Sequence, residues 1–106
     1  MSTQAQRDRA EAVEMLKRFL KKGDRVYCIL AKVAPSGMSR EIKLYKVGSK
    51  GEQFLSGYAA KALGLRMGKH DGVVVHGGGM DMGFHLVYEL SRAMFGDPRA
   101  LQHVWL

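Results

Sequence analysis

A chain of 106 residues that is 46% hydrophobic can fill one ordinary hydrophobic core, so a single domain over residues 1–106 is expected. No apolar run approaches the roughly 18 residues of a membrane span, and the polar opening MSTQAQRDRAEA lacks the apolar segment of a secretory signal, so neither feature is expected. The net charge is +7, and the excess is one-sided: residues 1–50 carry twelve Lys and Arg against five Asp and Glu, residues 51–106 five against five. A one-sided basic surface is the footprint of a polyanion partner, nucleic acid or an anionic nucleotide, with plain solubilising charge as the alternative.

Along residues 3 to 22, Val13, Leu16 and Leu20 recur at spacings of three and four beside Ala12 and Phe19, which predicts an amphipathic helix ended by Lys21, Lys22 and Gly23. Its remaining positions are charged and mixed in sign, as on a solvated face. Arg25 to Val33 is rich in Val, Tyr, Ile and Leu without helical spacing and reads as a strand. Within it Cys28, the lone cysteine, reads as a small buried thiol and suits a reducing cytoplasm.

Glu41 to Val47 alternates as a second strand, and the intervening APSGMSR makes the pair an antiparallel hairpin with a longer loop. VGSKGEQ then turns the chain out of the sheet. SGYAAKALG forms a short helix with Ser56 as N-cap and Gly64 just past its end. The charged link RMGKHDG leads to VVV, a short buried strand, then to the glycines and a last helix. That helix carries Met82, Phe84, Leu86, Val87, Leu90, Met94 and Phe95, apolar on more than one side, and belongs in the core. The order α-β-β-α-β-α with a short tail LQHVWL predicts an α+β domain, its helices packed on one face of a small, mainly antiparallel sheet.

The pieces SGMSR, SGYAAKALG and GGGMDMGFHLVYELS, with the tail ending in Trp105 and Leu106, resemble a family of small uncharacterised proteins of tailed bacteriophages and prophages. The resemblance spans roughly Val33 to Leu106. It implies a setting rather than an activity: an accessory phage protein in the cytoplasm of an infected bacterium, acting in host takeover, against a defence component or in nucleic-acid metabolism.

HGGGMDMG, residues 76 to 83, combines a strand end, a glycine turn and a helix start, whose free N–H groups can hold a phosphate. His76, Gly77, Gly78, Gly79, Asp81 and His85 form this candidate site. Neither GxGxxG nor GxxxxGK[ST] is present, and Asp81 at the N-cap would itself take up the free donors and repel a phosphate, which favours a structural corner. The lipase-like reading of HGGG fails without a Gly-x-Ser-x-Gly elbow. His76, Asp81, His85 and Glu89 are a metal-type donor set at a spacing that matches no standard motif, so no metal or other cofactor and no catalytic residue is expected.

The hairpin is the stronger candidate. Lys32, Ser36, Ser39, Arg40, Lys43 and Lys46 supply hydroxyls and cations of the kind phosphate oxygens need, although a one-residue register uncertainty leaves their common face open. The reading is therefore a non-enzymatic protein that binds nucleic acid through its first helix and hairpin. The alternatives are an inhibitor of a host or defence component by protein contact, with Trp105 either an anchor or a clasp on the core, and a protein that sequesters a nucleotide signal in a pocket of Tyr58, His85, Ser36 and Arg40.

Overall fold

The computed structural model describes residues 3–48, 51–77 and 82–105. Among them run helix α1 (Gln4–Leu16), strands β1 (Arg25–Val33), β2 (Ser39–Gly48) and β3 (Gly51–Phe54), helix α2 (Ser56–Leu63), strand β4 (Val73–His76), helix α3 (Met82–Phe95) and strand β5 (Gln102–Trp105). The expected order α-β-β-α-β-α is present, and the mixed sheet gains two short strands, β3 and β5. VGSKGEQ does not leave the sheet directly: residues 51–54 first pair with β2. The tail is not loose either, since β5 lies parallel to β1 as an edge strand.

The sheet is organised by the long strand β2. On one side it pairs antiparallel with β1; on the other, its Tyr45–Gly48 half pairs with β3 and its Ser39–Ile42 half with β4. Between these two partners the β2 backbone would be left without ladder bonds at Leu44. The gap is filled where the chain departs for α2: the Leu44 N–H donates to Ser56 Oγ (2.8 Å), and the Leu55 N–H donates to the Leu44 carbonyl (2.8 Å). Ser56 is therefore not the helix N-cap; Leu55 holds that position without a side-chain cap, and the Ser56 hydroxyl completes the sheet instead.

The helices end for local reasons. Thr3 and Gln6 form a reciprocal capping box at the start of α1. α1 stops at Leu16, earlier than periodicity suggests, because a turn at residues 17–19 swings Leu20 into the core. Gly64 closes α2 in the left-handed conformation (φ 68°), and the Arg9 guanidinium lies against it, a cation at the negative end of the helix dipole.

One hydrophobic cluster joins Ala12 and Leu16 of α1, Ala59 and Ala60 of α2, and Leu86, Val87 and Leu90 of α3 to Val26, Cys28, Ile42, Leu44 and Val73 of the strands. Burial pushes the Cys28 thiol up to about 12, so it is an unreactive core group.

Candidate nucleic-acid interface

Successive strand residues point to opposite faces of a sheet. Val26, Cys28, Ile42 and Leu44 enter the core, so Tyr27, Ile29, Lys43 and Tyr45 between them lie on the opposite face, where each is half-buried. The register lines these residues up across four strands. Val104 of β5 faces Tyr27 of β1, Tyr27 faces Tyr45 of β2, and Tyr45 faces Phe54 of β3. The Tyr45 and Phe54 rings stand 5.3 Å apart, and Phe54 is 43% exposed. The result is a transverse row of Val104, Tyr27, Tyr45 and Phe54.

Cations flank this row. Arg25 lies on the same face two residues before Tyr27 and is exposed; Lys43, opposite Ile29, lies two residues before Tyr45. Two residues further along β2 stands Glu41, and here a β-bulge matters. Up to Leu30↔Ile42 the register would set Lys32 against Arg40, but a shift between Leu30 and Lys32 pairs Lys32 with Glu41 instead. An opposite-charge pair replaces a like-charge one, and Lys32 joins the aromatic face. Glu41 in turn faces Val74 of β4, and the Val74 N–H donates to the Arg66 carbonyl (2.9 Å) beside the Met67–Val73 bridge. Lys32, Glu41, Val74 and Arg66 thus form a second transverse row, about 13 Å from the aromatic one by the rise of a strand.

The turn at residues 68–72 folds onto this second row. Glu41, its side chain only 14% exposed, accepts a hydrogen bond from the His70 N–H (2.8 Å), with His70 Nε2 3.9 Å from its other oxygen. Gly68 and Gly72 make the approach possible: a Cβ on Gly68 would fall 2.1 Å from the Glu41 carboxylate, and one on Gly72 would fall 2.8 Å from the Glu41 backbone. The turn, the hairpin and β4 border a cavity of about 240 Å³, lined among others by Lys32, Ser39, Arg66, Lys69 and His70.

Of the hairpin donors, Lys32, Ser39 and Arg40 line this cavity and Lys43 shares its face of the sheet. Arg40 lies on the alternate pleat, and its guanidinium donates to the Gly77 carbonyl (2.9 Å). Ser36 stays at the hairpin tip, where its Oγ accepts from the Met38 N–H (3.3 Å). Lys46 is engaged elsewhere: it pairs with Asp24 (3.1 Å) and donates to the Phe19 carbonyl (2.6 Å), tying β2 to the chain between α1 and β1. At Asp24 burial raises the carboxyl pKa, but the Lys21 N–H bond and the Lys46 charge outweigh it and hold it below the usual carboxylate range. Arg66, Lys69 and His70 were not among the sequence candidates; the signal that could have found them is the cationic cluster RMGKH set between Gly64 and Gly72.

Of the glycine-loop site, Gly78, Gly79 and Asp81 lie outside the described residues. Gly77, at φ 120°, donates from its N–H to the Met38 carbonyl (3.0 Å), which together with Arg40 fixes it to the hairpin. His76, His85 and Glu89 line one cavity of about 280 Å³ with Leu63, Val75 and Leu86. Among the described residues no group of three His, Cys, Asp or Glu side chains could hold a metal ion. The pocket of Tyr58, His85, Ser36 and Arg40 does not form: Tyr58 lines a separate cavity with Phe54, Leu65 and Met67.

No protein-family model, no curated protein and no solved structure matches this chain.

Proposed function

We propose that the three helices cover one face of the sheet and that the opposite face binds single-stranded nucleic acid. The observation that carries this reading is the row Val104–Tyr27–Tyr45–Phe54, outside the core and bordered by Arg25 on one side and by Lys43, Lys32 and Arg66 on the other. Unpaired bases stack on aromatic rings irrespective of sequence, and cations beside the rings meet the phosphates. A duplex keeps its bases stacked internally and gains nothing from such a row. Binding therefore belongs to the sheet face rather than to α1, whose Arg9 lies against Gly64 at the end of α2. The phage setting implied by the sequence resemblance is part of the proposal: an accessory protein that holds exposed single strands in an infected cell.

Fluorescence anisotropy with a labelled single-stranded oligonucleotide tests it. Affinity is expected to fall with salt at roughly 0.7 log units per log unit of salt for each phosphate contacted, and to fall further when Tyr27 and Tyr45 become Ala. Absence of binding at low salt, or a preference for duplex, overturns it. A protein partner is the second reading, favoured by Trp105 and Phe84, which are 41% and 44% exposed beside each other's elements; specific recovery of one host protein with the chain, in the absence of oligonucleotide binding, would select it.

A further inference from the structure

We infer that the cavity beneath the residue 68–72 turn receives a terminal phosphate of the bound strand, an inference that rests on the single-strand reading above. The cavity lies at the far end of the aromatic face, where the row Lys32–Glu41–Val74–Arg66 crosses the sheet. Its lining comes from three segments: Ala34 and Ser39 of the hairpin, Arg66 at the sheet edge, and Gly68, Lys69 and His70 of the turn. Along the strands, Ile29 and Lys43 stand between this cavity and the aromatic row.

That shape distinguishes two kinds of phosphate. An internal phosphodiester carries one negative charge, and its chain must enter and leave. A terminal monoester carries a charge near −1.5 to −2 at neutral pH and is attached on one side only. A recess that gathers Lys32, Arg66 and Lys69 from three segments around one point suits the more highly charged, singly attached group.

Glu41 is the opposing charge, and the structure shows how it is contained. Its carboxylate is mostly covered, accepts the His70 N–H, and faces Lys32 across the strands. It acts as a positioning residue that holds the turn, and with it Lys69, over the cavity. Ordinary ion pairing does not explain the site: Lys32, Arg66 and Lys69 have no salt-bridge partner among the described residues.

The test compares one oligonucleotide sequence in three forms, with a 5′-phosphate, with a 3′-phosphate and with hydroxyls at both ends. One phosphorylated form is expected to bind roughly tenfold tighter than the hydroxyl-ended strand, the effect of one added charge-assisted contact. Its identity gives the polarity of the strand. Changing Lys69 to Ala, an exposed position outside the cations that border the rings, is expected to shrink this difference severalfold while the hydroxyl-ended strand keeps its affinity. Glu41→Gln retains an acceptor for His70 and removes the negative charge, so it is expected to widen the difference. Equal affinity for all three forms overturns the terminal-phosphate inference and leaves the aromatic platform standing. No binding of any form overturns both.

Discussion

Alternate residues of β1 and β2 build two surfaces that differ in kind. Val26, Cys28, Ile42 and Leu44 are fully buried and make the core; Tyr27, Ile29, Lys43 and Tyr45, one residue away in each case, are half-buried and do not join it. Burial explains the first set completely, because removing such side chains from water is what drives the chain to fold. It does not explain the second. Large aromatic rings lined up on the other pleat beside cations are more than solubility requires, and that difference is the reason to look there for function.

The comparison can be broken by neighbouring substitutions on one strand. Leu44→Ala should destabilise the fold by about 2–5 kcal/mol, because it opens a cavity in the cluster. Tyr45→Ala, the next residue, should cost about 1 kcal/mol through loss of its contact with Phe54, yet should weaken oligonucleotide binding by about 1–3 kcal/mol. Chemical denaturation and anisotropy on the same two variants check this; similar stability losses with unchanged binding would merge the two faces into one structural role.

Gly72→Ala tests the edge of the aromatic face. The added methyl meets backbone atoms of Glu41 and Ile42, which cannot yield as a flexible side chain could, and a stability loss of about 1–3 kcal/mol is expected in thermal unfolding. On the core side, Gly83→Ala places a methyl 2.6 Å from the Trp105 ring. β5 is a short edge strand and can give way, so the expected result is a displaced Trp105. As the only tryptophan, it reports this directly through a changed fluorescence maximum, with a small loss of stability. An unchanged emission spectrum would contradict its position over Gly83.

The smallest effect concerns Asp24 and Lys46. The Asp24 carboxyl is held below its ordinary range in the folded protein, so its ion pair contributes stability above the unfolded pKa near 4, and this contribution is lost as pH falls through the lowered folded value. Asp24→Asn keeps an acceptor for the Lys21 N–H and removes the charge. Melting temperatures measured from neutral to acidic pH should fall less steeply in the variant, by a degree or two.

Much of the fold was legible because its signals are local. β1 occupies Arg25–Val33 as the composition indicates, and Gly64 ends α2 through its left-handed backbone. β3 and β5 were not legible: Gly51–Phe54 is exposed throughout and shows no apolar alternation, and β5 finds its parallel partner 77 residues earlier in the chain. The candidate site suffered from the same omissions. Lys32 and Lys43 could be read as cations on a hairpin, but their common face depends on the bulge beside Ala31, and the aromatic row exists only once β3 and β5 bring Phe54 and Val104 alongside the tyrosines. Arg66 and Lys69 join the site through the packing of Gly68 and Gly72 on Glu41, a contact between residues far apart in sequence.

The central claim is that the aromatic pleat of the sheet is the binding surface, and amide chemical-shift mapping during titration with a single-stranded oligonucleotide tests it most directly. The largest shifts are expected at Tyr27, Ile29, Lys43, Tyr45, Phe54 and Val104, with Lys69 and His70 following and the exposed positions of α1 unmoved. Shifts concentrated on α1 or around His76 and His85, with the aromatic row silent, would contradict it.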